Sequence, residues 1–289
     1  MCVTIRFHMT TWGEARAAAT ARLRGGADPQ TAALDADVLL AFALGVAKEA
    51  LFAHPERPLS VEDAARFDGL IARRSEGEPV AYLRGWKEFY GLRFRVDPRV
   101  LIPRPETETL VDEARRAIGG RAVVVVDVGT GSGAIACAIA VHEPKVRVIG
   151  TDVSREALAV AEANALSLGV ADRVELREGD LLAPIRKPVD VVCANLPYLR
   201  EDALSELSGD RTSLRYEPRR AVSAGDDGLD VIRRAVTELG RVLHTGGDAF
   251  FECDPPQAPA IAEMLRPLGA VRITRDLAGS ARVVSLSRN

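Results

Sequence analysis

The sequence predicts an α/β chain in which a mostly parallel sheet, covered by helices on both faces, follows a small helical bundle. Three features carry that expectation. Beyond Gly120, short and almost continuously apolar runs alternate with segments of helical spacing, the pattern of parallel strands buried on both faces. Residues 11–75 show helical spacing alone and are rich in alanine. Between these regions lies a block dense in arginine, aromatic residues and proline that fits neither pattern.

The first helix opens at Thr11-Trp12-Gly13-Glu14, which has capping-box spacing, and ends at Gly25-Gly26. Asp28-Pro29 reads as the N-cap and first-turn proline of a second helix. Its apolar positions include Leu34, Val38, Leu39 and Phe42, and Gly45 closes it. Ser60 and Asp63 begin another, through Phe67, Leu70 and Ile71. Such a bundle offers no cluster suited to acid–base or metal chemistry, so its expected role is docking or packing. From Glu78 the chain reads as a β-hairpin linker turning at Gly91. It ends in an extended segment, because Pro98, Pro103 and Pro105 exclude a helix there.

Helical spacing resumes from Thr107 to Ile118. Strand-like runs follow at 122–128, 146–151, 173–177, 189–194, 248–252, 270–274 and 282–286, with Ser154 capping the helix that runs to Leu168. The last two runs are separated only by Asp276 to Ala281, so they are expected to pair antiparallel at the end of the sheet. The resulting division is a helical domain at 1–76, a hairpin linker at 77–104 and the α/β domain at 105–289.

With 289 residues, 47% of them hydrophobic and 27% charged, the chain can bury a large core. A net charge of −3 argues against a mainly electrostatic grip on nucleic acid. The four cysteines are far apart and form no C-x-x-C, so neither a disulfide framework nor a structural metal is expected. No stretch approaches the roughly 18 apolar residues of a membrane span. The start, MCVTIRFHM, is too short and polar for a signal peptide. A cytoplasmic protein is the expectation. Regular patterning begins near Thr11, leaving Met1 and Met9 as alternative starts.

The first strand of the α/β region runs into Asp127-Val128-Gly129-Thr130-Gly131-Ser132-Gly133 and then an alanine-rich helix. Alternate glycines let a backbone turn sharply against a ligand, and the helix start behind them supplies unpaired N–H groups. The next strand ends in Asp152, 19 residues after Gly133, where an acid can accept hydrogen bonds from both hydroxyls of a ribose. Gly-Thr-Gly-Ser-Gly-Ala also satisfies a loose dinucleotide pattern. The G-x-G-x-G spacing behind an acid, however, resembles the nucleoside-binding loop of class I S-adenosylmethionine-dependent methyltransferases, a Rossmann-like fold with a seven-stranded sheet. Asp180 and Leu181, after a third strand, then stand where that fold places an acid and a wall beside the adenine.

The fourth strand ends in Asn195-Leu196-Pro197-Tyr198. Ligands of open α/β sheets bind beyond the carboxyl ends of the strands, so Asn195 is expected at the same crevice. An amide or aromatic-amine nitrogen is a poor nucleophile because its lone pair is delocalised. Two acceptors holding its N–H groups would aim that lone pair and favour the charge that develops. The Asn195 side-chain oxygen is one candidate and the carbonyl of Leu196 the other, held extended by Pro197. Tyr198 offers a flat face.

Taken with "EPVAYLRGWKEFYGLRFRVDPRVLIPRPETE" (78–108), "VVDVGTGSGAIACAIA" (125–140), "GTDVSREALAVAEANA" (150–165) and "YEPRRAVSAGDDGLDVIRR" (216–234), the chain resembles the protein-(glutamine-N5) methyltransferases of the PrmC/HemK family. The resemblance implies methyl transfer from S-adenosylmethionine, leaving S-adenosylhomocysteine, to the glutamine of the Gly-Gly-Gln loop of class I peptide chain release factors, with no metal. It implies an N-terminal helical domain that helps recognise that protein partner, with no direct nucleic-acid binding required. By motif match, Gly129, Thr130, Gly131, Ser132, Gly133 and Asp152 would hold the cofactor, joined by Asp180, Leu181 and Asn195. Thr107 and Leu101 would line the pocket near the reacting groups, and Asn195 to Tyr198 would hold the glutamine amide.

This sequence has leucine at 196 where the family usually has proline, and leucine at 181 where many relatives carry tryptophan. Asn-Leu-Pro-Tyr also resembles the motif of ribosomal-RNA adenine dimethyltransferases, which lack the 78–108 block. A sister glutamine methyltransferase of a large-subunit ribosomal protein shares nearly every motif. A non-catalytic binding module would be favoured only without Asn195.

Overall fold

The computed structural model describes residues 10–26, 28–200 and 214–289. The alternative starts Met1 and Met9 lie outside them. The described residues form two compact units, 10–85 with 214–216 and 86–200 with 217–289. Among them, no helix is long and apolar enough to cross a membrane.

The first unit is a helical bundle. Its helix α1 (Trp12–Arg24) starts with the predicted capping box: the Thr11 hydroxyl accepts the Glu14 N–H, and the Glu14 carboxylate accepts the Thr11 N–H. Helix α2 (Ala32–Leu44) departs from expectation. It begins behind Thr31, without a side-chain cap, and Asp28 is not its N-cap. Asp28 and Asp35 instead hold the Arg74 guanidinium at 2.6 and 2.7 Å. That guanidinium is buried, and a buried charge left unpaired costs far more than a missing cap. Helices α3 (Lys48–Ala53), α4 (Val61–Ser75) and α5 (Val80–Arg84) complete the bundle around Trp12, Leu39, Leu40, Phe67 and Ile71. Ser60 caps α4 by accepting the Asp63 N–H. Helix α5 was not expected, being a single short helix inside a stretch of strand-like composition.

The second unit opens with the hairpin β1 (Trp86–Phe89) and β2 (Leu92–Arg95), which turns at Tyr90-Gly91. Both turn residues have positive φ, the backbone sense that matches strand twist. After the turn Pro105–Thr107 come α6 (Glu108–Ile118), β3 (Val124–Val128), α7 (Ala134–His142), β4 (Arg147–Asp152), α8 (Arg155–Ser167), β5 (Val174–Glu178) and β6 (Val189–Ala194). Beyond residue 214 lie α9 (Asp230–Val242), β7 (Leu243–Glu252), α10 (Ala258–Leu265), β8 (Gly269–Arg275) and β9 (Ala281–Arg288).

The seven strands lie in the order β5-β4-β3-β6-β7-β9-β8, and only β9 runs against the others. This is the predicted Rossmann-like sheet, with β8 and β9 antiparallel at its end. Strand β7 starts earlier than the apolar run at 248–252, because Leu243, buried in the core, and the exposed His244-Thr245-Gly246 behind it already lie in strand conformation. Alternation sends Val125, Val148, Val191 and Phe250 to the face covered by α6 and α7, and Val126, Val192, Ala249 and Phe251 to the face covered by α9 and α10. Strand order reverses between β3 and β6, which places the ligand crevice at their carboxyl ends.

Asn164 on α8 joins three parts of this unit. Its Oδ1 accepts the Arg95 N–H at 2.7 Å, while its Nδ2 donates to the carbonyls of Arg95 and Ser132 at 3.0 and 2.8 Å. A fully buried amide thus completes the edge of β2 and ties it to the glycine loop. Asn164→Ala should lower unfolding free energy by about 2–4 kcal/mol, since each buried polar group left unpaired costs roughly 1–3 kcal/mol. Urea denaturation measures this, and an unchanged midpoint would show that the three bonds contribute nothing net.

Candidate active site

The strand register gathers the predicted residues along one edge of the sheet. Val128 pairs with both Thr151 and Ala194, Asp152 with Glu178, and Ala194 with Phe251. Gly129, Asp152, Gly179, Asn195 and Glu252 therefore sit at or just past neighbouring strand ends. A cleft of about 380 Å³ opens beyond them, within the usual range for small-molecule sites. Gly129, Gly131, Asp152, Asp180, Leu181 and Asn195 line it, as do Leu101, Leu196 and Pro197.

Within the glycine loop, the five predicted residues divide by role. Gly129 and Gly131 face the cleft, whereas Thr130, Ser132 and Gly133 are not among its lining residues. Gly133 adopts a positive φ of 77°, and a Cβ there would lie 3.1 Å from the Ala161 Cβ, so it lets α7 pack on α8. The Thr130 hydroxyl donates to Asp127 Oδ2 at 2.6 Å, and the Ala136 N–H donates to the same oxygen at 3.1 Å. Burial pushes the Asp127 carboxyl up to about 6 against these bonds. Asp127 braces the loop from beneath.

Asp152 is held at the cleft wall by two backbone donors, Gly131 N–H to Oδ2 at 3.0 Å and Ser154 N–H to Oδ1 at 2.9 Å. Asp180 is ion-paired with Arg234, which also lines the cleft. Leu181 has a φ of 47°, unusual for a residue with a side chain. The buried Thr151 hydroxyl supports it by donating to the Leu181 carbonyl at 2.8 Å, so the backbone is set even where no tryptophan covers the site.

At the fourth strand end, the Asn195 Nδ2 donates to the Thr107 hydroxyl at 3.0 Å. That leaves Oδ1 as the end of the amide not bound to Thr107. Thr107 is buried and is not among the cleft-lining residues; it stands behind Asn195. Leu196 is buried with the core, and its Cδ2 would lie 3.1 Å from a Cβ on Gly129. The side chain that replaces the family's proline therefore packs down onto the glycine loop. Tyr198 also leans on the core instead of lining the cleft, and its carbonyl accepts Gln257 Nε2 at 2.9 Å. Burial raises its hydroxyl well above the ordinary tyrosine value.

Sequence reasoning missed two carboxylates. Glu217 is buried, accepts the Ile102 N–H at 3.0 Å and pairs with Arg104. It pins the 217–221 segment beside Ile102, and Pro218 and Arg220 line the cleft. Glu252 ends β7, and burial pushes its carboxyl up to about 7, opposed by hydrogen bonding from Thr107, the Arg282 charge and hydrogen bonding from Tyr198. Its signal was present in Phe250-Phe251-Glu252, an acid closing an apolar strand as Asp152 does.

Comparison with known proteins matches this arrangement. Residues 14–85 match the family described as PrmC N-terminal domain, and residues 106–210 match the methyltransferase small domain. A release factor glutamine methyltransferase of Rhodopirellula baltica is 38% identical over 277 residues, covering 92% of each chain. That of Moorella thermoacetica is 41% identical over 254 residues, covering 86% of this chain and 89% of its own. That of Bordetella pertussis is 40% identical over 262 residues, covering 89% and 95%. Among solved structures, the catalytic domain of hMettl16 in complex with a MAT2A 3'UTR hairpin superposes with a TM-score of 0.55 at 17% identity. It covers 78% of this chain and 81% of that one, and the likeness is one of fold. At 38–41% identity over nearly the whole length of sequences of the same description, the chain is a member of the release factor glutamine methyltransferase family.

Proposed function

We propose that this protein transfers a methyl group from S-adenosylmethionine to the side-chain amide nitrogen of the glutamine in the Gly-Gly-Gln loop of class I peptide chain release factors. The observation that carries the reading is the Asn195 amide. Its Nδ2 is bound to Thr107 beside a nucleoside-sized cleft, so its oxygen is the end left to accept an N–H. The family membership supplies the substrate class.

The cleft suits the cofactor by the chemistry of its walls. Asp152 presents an acceptor oriented by two backbone N–H groups, matched to paired ribose hydroxyls. Gly129 and Gly131 bring bare backbone to the cleft, and Asp180 and Leu181 line it as well. When bound, S-adenosylmethionine supplies the methyl as an electrophile on a positively charged sulfur.

Asn195 and the Leu196 carbonyl act on the other partner. By accepting the two N–H groups of the substrate amide, they aim the nitrogen lone pair along the line of attack. They also favour the positive charge that grows on nitrogen as the new N–C bond forms and the C–S bond breaks. The sulfonium leaves as a neutral thioether, the nitrogen releases one proton to solvent water, and the product is a neutral N-methyl amide. Pro197 fixes the direction of the Leu196 carbonyl, and Tyr198 anchors the motif on the core. The N-terminal helical unit is assigned to recognition of the release factor, and a translation substrate of this kind places the enzyme in the cytoplasm.

Asp152→Ala should weaken S-adenosylmethionine binding about 10- to 100-fold by calorimetry, the value of charge-assisted bonds worth roughly 1.5–3 kcal/mol. Unchanged affinity would remove the cofactor assignment. Asn195→Ala should reduce turnover of a release factor on the order of 10²-fold or more in a methyl-transfer assay, as loss of an aimed polar group does, with an unchanged circular dichroism spectrum. Leu196→Pro keeps the carbonyl and should retain most of the activity while losing some stability from its packing. A near-complete loss of turnover in a folded Leu196→Pro protein would mean that the leucine side chain takes part directly.

A further inference from the structure

We propose that Glu252 is a positioning residue for methyl transfer: through the Thr107 hydroxyl, it fixes which end of the Asn195 amide faces the cleft. The proposal rests on the activity proposed above and adds a residue to its machinery.

Strands β6 and β7 run parallel with Ala194 beside Phe251, so Asn195 and Glu252 leave the sheet side by side. Glu252 is 1% exposed. Its Oε2 has no hydrogen-bond partner among the described residues. The Thr107 hydroxyl meets this carboxyl on one side and receives the Asn195 Nδ2 on the other, at 3.0 Å.

A hydroxyl has one proton to give and two lone pairs to offer, whereas an ionised carboxylate only accepts. Once the Thr107 proton is committed to Glu252, Thr107 has only a lone pair left for Asn195. The asparagine must therefore turn its NH₂ inward and its oxygen outward, the orientation that accepts from a substrate amide. Without the carboxylate, Thr107 is free to donate to the asparagine oxygen. The Asn195 amide can then rotate by half a turn and present donors to the donors of the substrate. A carboxylate buried with an unsatisfied oxygen destabilises the fold that holds it, which a residue serving only to pack would not do.

The groups facing Glu252 come from each neighbouring element. They are Thr107 and Glu106 from the turn before α6, Tyr198 from the loop after β6, and Arg282 from β9. Just past the end of its strand is the Cys253 thiol, pushed up to about 12 by burial and neutral. Glu106 disfavours the ionised form, while Arg282 and the two hydroxyls favour it. With the carboxyl titrating at about 7, acidification turns Glu252 from an acceptor into a donor. The correctly turned Asn195 is lost as pH falls. The substrate amide itself does not titrate in this range.

The test measures kcat, KM for the release factor and S-adenosylmethionine affinity for wild type, Glu252→Met, Glu252→Gln, Thr107→Val and Thr107→Ser, between about pH 6 and pH 8 where a catalytic group of this kind titrates. Glu252→Met, which removes the acceptor and keeps the length of the side chain, should lower kcat on the order of 10²-fold, the scale of a misaimed group, with cofactor affinity and KM nearly unchanged and the acidic limb of the pH profile gone. Glu252→Gln keeps an acceptor oxygen without a titrating proton, so it should retain more turnover than the methionine variant and also lose the acidic limb. Thr107→Val should fall as Glu252→Met does, Thr107→Ser should recover most of the turnover that valine loses, and the double variant Glu252→Met with Thr107→Val should be no worse than either single one. Wild-type turnover and pH profile in Glu252→Met would overturn the proposal. So would a serine variant no better than valine, which also decides the matter if Glu252→Met does not fold. Absence of release-factor methylation by the wild type is a different result, and would overturn the activity on which the proposal rests.

Discussion

Parallel pairing of β3 with β6, which sets Val128 beside Ala194, governs the geometry of the catalytic unit. It places Gly129 and Asn195 at adjacent strand ends on either side of the point where strand order reverses. Neither residue has to be carried by a long flexible loop, because the ladder hydrogen bonds of two buried strands hold both. The remaining contacts refine that placement. Leu196 packs over Gly129, Thr107 holds the Asn195 amide, and Asn164 anchors the loop carbonyl of Ser132 to the hairpin edge. A slip of one residue between β3 and β6 would turn the side chains of the slipped strand to the other face and part Gly129 from Asn195.

The site is held at a cost to the fold. Asp127 and Glu252 are buried acids, each with one oxygen lacking a partner among the described residues. Burial raises both above the ordinary carboxylate range, to about 6 and about 7. The folded protein therefore retains protons that the unfolded chain would release. Their contribution to stability is fully present below the ordinary carboxylate value and is lost as pH rises through about 6 for Asp127 and about 7 for Glu252. At neutral pH these residues weaken the fold, and they do so directly beneath the glycine loop and behind Asn195. Local destabilisation concentrated around reacting groups is what a positioned, water-excluding site requires.

Much of this was legible in the sequence because burial on both faces writes strands as apolar runs, and strand ends then count off the loops. The glycine loop, Asp152 and Asn195 were found that way, and the structure brings them to one edge. What escaped was decided by partners distant in the chain. The N-cap reading of Asp28 failed because Arg74, 46 residues away, takes its carboxylate. Thr107 was expected in the pocket wall, but its place behind Asn195 depends on a contact spanning 88 residues. Tyr198 carries an aromatic face whose direction is set by the core of another strand. Local pattern cannot weigh such competition, since it records what each residue is able to do and not which partner arrives.

We propose that the Asn195 oxygen, with its nitrogen held inward by Thr107, receives the substrate amide. A neutron structure of the protein with S-adenosylhomocysteine and a peptide containing Gly-Gly-Gln would test it most directly, because deuterium positions distinguish the two ends of an amide. The glutamine nitrogen should lie within about 2.7–3.2 Å of Asn195 Oδ1, with the Thr107 deuterium pointing to Glu252. An Asn195 amide turned the other way, or a glutamine seated away from Asn195, would contradict it.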